Sequence, residues 1–229
     1  MALAQPGLKR LALFDLDNTL LDGDSDVLWC EFLMHEGVLD RAEFAERNAT
    51  MDAAYRAGEA TPQAFSAFYV STLAGRSAAD WEPLRQAFLR REIVPRIPAA
   101  AMALVARHRD AGDLLVLTTA TNRFLTELTA VHLGIEHLIA TDCEVGADGC
   151  FSGRPTGVLN MREGKVTRLH SWLAARGQAL ADFHSTAYSD SINDLPLLCA
   201  TTVAVAVHAD ARLAAEASSR GWAQLQLRS

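Results

Sequence analysis

Residues 11–14, Leu-Ala-Leu-Phe, constrain this chain more than any other stretch, because this apolar run leads straight into Asp15-Leu16-Asp17-Asn18-Thr19. A short apolar run that stops at polar residues suits a strand buried on both faces of a parallel sheet. Residues 113–119, 184–189 and 202–207 read the same way. Helical patterns at 98–111, 122–133, 165–175 and 210–219 separate these runs. Such alternation predicts an α/β fold with a mostly parallel sheet, whose ligands gather at the carboxyl ends of the strands.

Strand candidates vanish between residues 22 and 98. The segment reads as successive helices punctuated at Gly37, Gly58 and Gly75. One helix has a defined start, with Thr61 as N-cap and Pro62 at the first helical position, and Gly75 stands where its C-terminal cap would fall. Pro95 and Pro98 mark the return. The expected organisation is an α/β core at 1–21 and 99–229, interrupted after its first strand by a helical domain at 22–98. At 143–157, Asp148-Gly149 between β-compatible residues predicts a hairpin, read as a surface excursion of the core.

A chain of 229 residues holds one or two domains and buries roughly 70% of the surface its unfolded form exposes. The formal net charge of -7 leaves no basic stripe to replace counterions on a phosphate backbone, so nucleic acid is not an expected partner. Cys30, Cys143, Cys150 and Cys199 include no Cys-x-x-Cys pair, which removes zinc-knuckle and redox-pair readings and fits reduced thiols in a cytosol. Pro6, Lys9 and Arg10 interrupt the N-terminus before a signal-like core forms, and no apolar run approaches the ~20 residues that span a bilayer. A cytoplasmic protein without a membrane partner is expected. The sequence defines no oligomeric state.

Asp15 and Asp17 fall where the first strand ends. Aspartates there can cap a helix or hold a turn, or they can do chemistry. Two carboxylates this close repel, and Mg²⁺ with oxygen ligands is the natural neutraliser. A second acidic cluster follows the run at 184–189, where Asp190 can complete the coordination begun by Asp15 and Asp17. Asp194 in Asn193-Asp194-Leu195-Pro196 also reads as a helix cap.

Asp15–Thr19 (DLDNT), 118–121 (TTAT), Gly164-Lys165 and 189–194 (SDSIND) resemble, in order, the four motifs of haloacid dehalogenase (HAD) superfamily phosphatases. The helical insert and the D-S-x-N-D form of the last motif are similar to the phosphoserine-phosphatase-like branch. The resemblance implies a Rossmannoid core with a helical cap. It also implies a Mg²⁺-dependent phosphatase acting on a small phosphorylated metabolite.

Residue by residue, the resemblance makes Asp15 the nucleophile that becomes an aspartyl phosphate. Asp17 becomes the acid that protonates the leaving alkoxide and then the base that activates water, and binds the metal through its backbone carbonyl. A halide needs no such acid, so Asp17 favours phosphate chemistry over dehalogenation. Thr119 matches the second-motif hydroxyl, with Thr118 and Thr121 as alternatives, and Ala120 supplies a backbone N–H to the phosphate. Lys165 pairs with the nucleophile and the phosphate. Asp15, Asp17 and Asp190 make up the metal set, supported by Asn193 and Asp194.

Specificity is expected in the cap. Asp24 falls where phosphoserine phosphatases carry an acid that holds the substrate ammonium, which suits phosphoserine or histidinol phosphate; the other reading makes it a helix cap. No spacing singles out one of the arginines Arg56, Arg90 and Arg91. Trp29, Phe32, Phe65 and Phe68 sit at helical spacing and read as cap core, and the seven histidines form no metal or triad pattern. The same motifs permit phosphotransfer to an acceptor other than water. A phosphate-binding regulator without turnover is the reading from another class.

Overall fold

The computed structural model describes residues 8–228; residues 1–7, which carry part of the leader expectation, lie outside them. Among the described residues, β1 (Lys9–Phe14), β2 (Leu114–Asn122), β3 (His137–Val145), β4 (Phe151–Thr156), β5 (Phe183–Ser189), β6 (Val203–Val207) and β7 (Ala223–Leu225) form one sheet. Its order is β4-β3-β2-β1-β5-β6-β7, parallel except where β4 runs against β3. β1 is central, with Leu13 opposite Val116 on one side and Ala187 on the other. Its side chains alternate between two apolar clusters. Leu11 and Leu13 pack with Leu169 and Leu173, while Ala12 and Phe14 face Leu104, Phe124 and Tyr188. Each buried leucine contributes roughly 1.5–3 kcal/mol.

Four helices follow β1 directly: α1 (Ser25–His35), α2 (Arg41–Ala57), α3 (Pro62–Ser71) and α4 (Ala78–Phe88). A π turn at Leu89–Ile93 and a 3₁₀ turn at Val94–Arg96 return the chain to α5 (Ala99–Asp110). α6 (Arg123–Leu133), α7 (Glu163–Ala174), α8 (Leu195–Ala200) and α9 (Ala211–Arg220) complete the helices used below. Local sequence starts them as expected. Thr61 Oγ1 accepts from Ala64 N–H at 3.1 Å with Pro62 at the first position, and Ser77 with Asp80 forms a capping box on α4.

The helical segment does not bury itself evenly. Trp29 of α1 meets Phe88 and Trp81 of α4 at ring centroid separations of 5.1 and 5.6 Å, inside the same apolar cluster as Phe14 and Leu117. α2 is polar around most of its circumference, and Asn48 is its one fully buried side chain.

Two expectations are corrected. α3 ends at Ser71, so Gly75 does not cap it; Gly75 takes φ +78° and donates its N–H to the Phe151 carbonyl at 2.9 Å. The hairpin around Asp148-Gly149 is present, but it is not a free excursion. Phe151 N–H bonds the Arg76 carbonyl at 2.9 Å, Ser77 bridges Cys150, and Gly153 lies so close to the α3–α4 turn that a Cβ there would stand 2.8 Å from Ala74 Cβ. The parallel stretch of β3 and the three-residue edge strand β7 went unpredicted, the latter because its side chains are largely exposed and leave no apolar run.

Candidate active site

The ladder between β1 and β5 continues one residue past Phe14, because Asp15 N–H donates to the Tyr188 carbonyl at 3.0 Å. Asp15 Oδ1 accepts from Lys165 Nζ at 2.8 Å and Oδ2 accepts from Thr19 Oγ1 at 2.9 Å. Asn18 takes φ +57°, a left-handed turn that asparagine tolerates, and this returns Thr19 over the carboxylate. Thr19 Oγ1 also lies 3.2 Å from Asp190 Oδ1 and accepts the Asp190 N–H at 3.0 Å. One hydroxyl therefore joins the ends of two neighbouring strands.

Lys165 reaches this point because α7 starts tightly against the preceding loop. A Cβ on Gly164 would stand 2.0 Å from the Leu159 carbonyl oxygen, so the Gly-Lys pair is a steric requirement. Lys165 Nζ also bonds Asp194 Oδ2 at 2.6 Å, and that oxygen accepts from Ser189 Oγ at 2.7 Å. Asp194 stands at the N-cap position of α8 without a capping side-chain bond, so its carboxylate serves Lys165. Asn193 borders the same space.

The Asp17 carboxylate faces the other way. Oδ1 accepts from Ser25 N–H at 2.7 Å and Ser25 Oγ at 2.5 Å, and Oδ2 from Thr119 Oγ1 at 3.1 Å and Thr121 Oγ1 at 2.9 Å. Of the three threonines, Thr118 points at Asn160 Nδ2, 3.0 Å away. Thr119 is fully buried, while Ala120 and Thr121 border the cavity. Asn160 also donates to the carbonyls of Thr119 and Ile139 at 2.9 Å, tying the loop before α7 to two strands.

Burial pushes the Asp15 carboxyl up to about 7 against the pull of Lys165, with Asp194 and Asp17 adding repulsion. Burial also raises Asp190 well above the usual carboxylate range, and Asp15 adds to it. For Lys165 burial alone would favour the neutral amine, but Asp15 and Asp194 outweigh it and hold the ammonium charged.

A cavity of about 300 Å³ opens above these groups. Its lining divides by origin, into a floor of Asp15, Lys165, Asp190 and Asp194, and a wall of Asp24, Asp52, Tyr55, Arg56 and Phe65 from the segment between β1 and α4. Asp24 Oδ1 caps α1 through the N–H groups of Asp26 and Val27 at 3.0 and 3.1 Å, and the residue borders the cavity. Burial and Asp17 push its carboxyl up to about 8. Arg56 is bound to Asp52 at 2.8 Å, whereas Arg91 pairs with Glu36 away from the cavity. Phe65 packs with Tyr55 at 4.1 Å between centroids and faces the cavity, contrary to a purely core reading, while Trp29 and Phe32 are core. His208 also borders the cavity. Asp52 and Tyr55 went unread because nothing in a polar helix marks which turn faces a ligand.

Mg²⁺ is the metal that the sequence reading implies. The buried floor sets Asp15, Asp190 and Asp194 against one ammonium, and Asp15 and Asp190 share the single proton of Thr19. An excess of hard, buried oxygens fits a small divalent cation. Among the described residues, no group of three or more His, Cys, Asp or Glu is placed to hold a metal. The Asp17 side-chain oxygens are engaged by Ser25, Thr119 and Thr121, so the carboxylates that fit such a cation are those of Asp15 and Asp190.

Fold and site together place a buried carboxylate, paired with an ammonium, at the carboxyl end of the central parallel strand. The chain belongs to the haloacid dehalogenase-like hydrolase family, whose model matches residues 12–198, and it stands among that family's phosphoric monoester hydrolases. A histidinol-phosphatase of Neisseria meningitidis serogroup C (strain 8013) is 38% identical over 222 residues, covering 96% of this chain and 100% of that one. A crystal structure of a protein of unknown function from Bordetella pertussis Tohama I superposes with a TM-score of 0.91 at 43% identity, covering 96% of this chain and 100% of that one. A phospho-aspartyl intermediate analogue of a phosphoserine phosphatase shares the fold, with a TM-score of 0.68 at 19% identity over 91% of each chain.

Proposed function

We propose that this chain is a Mg²⁺-dependent, cytoplasmic phosphatase that hydrolyses a small amino-bearing phosphomonoester lacking a carboxylate, of which histidinol phosphate is the example. One observation carries the reading: a single cavity is lined both by the Asp15–Lys165 pair and by the acids Asp24 and Asp52, with Arg56 already paired to Asp52. A phosphate goes to the first pair and a cation to the acids. Phosphoserine would bring a carboxylate as well. Each cation bordering the cavity is engaged: Lys165 by Asp15 and Asp194, Arg56 by Asp52, Arg228 by Asp22 at 3.0 Å. The Tyr55–Phe65 pair suits a flat ring, and the 38% identical relative is named for histidinol phosphate.

In the reaction, an Asp15 carboxylate oxygen attacks phosphorus and the bond to the alkoxide breaks. Lys165 offsets the repulsion between the carboxylate and the phosphoryl oxygens. Asp17 gives its proton to the departing oxygen, then takes one from the water that hydrolyses the aspartyl phosphate. The hydroxyls of Ser25, Thr119 and Thr121 hold Asp17 at its post between these steps. A bound Mg²⁺ would be held by Asp15, Asp190 and the Asp17 carbonyl and would draw charge from the phosphoryl oxygens. The helices over the site act as a cap that excludes water and presents Asp24.

The test is a panel of phosphomonoesters that includes histidinol phosphate, phosphoserine and phenyl phosphate, assayed with Mg²⁺ and with chelator. Release of phosphate from histidinol phosphate that needs Mg²⁺ and vanishes in Asp15→Asn is the expected outcome. Turnover that survives Asp15→Asn would remove the mechanism.

A further inference from the structure

The residues after β7 have no part in the reaction as derived, yet they are fastened one by one beside the cavity. His208 takes φ +48° just past β6 and meets three successive residues. Its N–H donates to the Leu225 carbonyl at 3.0 Å, its Nδ1 lies 2.5 Å from Gln226 Oε1, and its Nε2 accepts the Leu227 N–H at 3.0 Å. Leu227 is buried in the apolar cluster that holds Leu16, Leu20 and Leu21. These contacts deliver Arg228 to the turn that follows Asp17.

That turn connects the end of β1 to the helices over the site. Asn18 is left-handed, and a residue other than glycine keeps such a conformation only where its surroundings impose it. Inside the turn, the N–H groups of Thr19, Leu20 and Leu21 converge on the Leu16 carbonyl at 3.2, 2.9 and 3.0 Å, and the Asn18 N–H reaches the Gly23 carbonyl at 2.9 Å. Those bonds use the donors of the turn. Arg228 takes its acceptors: Nη2 donates to the Asn18 and Leu21 carbonyls at 2.9 and 3.4 Å, while Nε stands 3.0 Å from Asp22 Oδ1. One planar, permanently charged group therefore spans residues 18–22. Thr19, whose hydroxyl joins Asp15 and Asp190, lies within that span.

We propose that Arg228 is a positioning residue for the reaction. By holding the Asn18 and Leu21 carbonyls it fixes the turn that aims Thr19 at Asp15 and Asp190, and keeps Asp17 in register with Ser25, Thr119 and Thr121. Arg228 borders the cavity, but its Nη2 and Nε are committed to the turn, so it acts through the backbone and not on the substrate. The ion pair with Asp22 adds little, because its side chains are 33% and 57% exposed.

The kinetic role rests on the phosphatase reading, whereas the clamp itself does not. Arg228→Met keeps the alkyl stem and removes the donors. Hydrogen exchange in the intact, substrate-free protein should then quicken about tenfold at the Thr19, Leu20 and Leu21 amides and stay unchanged in β2 and α5, with the melting temperature little moved. With phenyl phosphate as substrate, kcat should fall about tenfold at unchanged KM, and added guanidinium ion should restore part of it, which a general loss of stability would not allow. Asp22→Asn removes the ion pair and leaves both carbonyl bonds, so it should keep kcat within about twofold. Exchange at the turn that is the same in both proteins overturns the inference. So does a raised KM at unchanged kcat, which would make Arg228 a substrate ligand, or a loss of kcat in Asp22→Asn as large as in Arg228→Met. Faster exchange in Arg228→Met beside absent turnover in the wild-type protein would uphold the clamp and count against the phosphatase reading.

Discussion

The floor and the wall of the cavity are built on different principles. On the floor, Asp15, Lys165, Asp190, Asp194 and Thr19 come from the ends of β1 and β5 and the start of α7, and each is bonded to at least one other. The wall takes Asp52, Tyr55 and Arg56 from α2, which buries only Asn48 fully, whereas α1 and α4 are bolted into the core by Trp29, Trp81 and Phe88. The difference separates two jobs. In the proposed function, chemistry needs fixed geometry and sits where the sheet enforces it, while recognition falls to a helix with few buried contacts, which can change without unfolding the protein.

The largest expected effect of that division is at the floor. Asp15→Asn keeps the shape and removes the nucleophile, and kcat should fall by about 10⁴-fold or more with the melting temperature little changed. Loss of the folded state instead would mean that Asp15 holds the floor together before it does chemistry. A comparison of helices follows. Phe88→Ala in α4 should cost about 3–5 kcal/mol by denaturant unfolding, and Met51→Ala in α2 well under half of that. Equal costs would show α2 to be as firmly seated as α4.

A smaller effect is expected at the wall. Asparagine caps helices as well as aspartate does, so Asp24→Asn should leave the fold intact. It should raise KM for histidinol phosphate about tenfold, a loss of about 1.4 kcal/mol, and leave phenyl phosphate unchanged. Equal losses on both substrates would place Asp24 in the chemistry and erase the division.

The smallest effect concerns pH. The folded protein holds the Asp24 carboxyl up to about 8, by burial and then Asp17, and an unfolded chain releases that proton near 4. Between these values the folded state binds more protons, so the stability of the metal-free protein should fall as pH rises from about 5 to 8. Asp24→Asn should flatten part of that slope. A slope unchanged by the substitution would show that Asp24 ionises as freely as an exposed acid.

Legibility followed the same boundary. The floor could be read because its residues are forced into short motifs: an apolar run that ends in Asp15 and Asp17, a glycine that alone fits before Lys165, a second run that ends at Ser189-Asp190. Even there, the bridge of Thr19 across two strands and the grip of Asn160 on β2 and β3 are long-range contacts without a local pattern. The wall was nearly silent. Asp52 and Arg56 form an i, i+4 pair of the kind found on any solvated helix, and only the fold places that turn over a cavity. Gly75 was misplaced for the same reason, since its partner Phe151 lies in a distant hairpin.

The most direct test of the account is the ratio of kcat/KM for histidinol phosphate to that for phosphoserine, measured on the wild-type protein with Mg²⁺. A chemical floor beneath an acidic wall with no cation to spare gives a ratio of at least about tenfold in favour of histidinol phosphate. A ratio of one or below would mean that the wall accommodates a carboxylate, and would contradict the selection of substrate proposed for it.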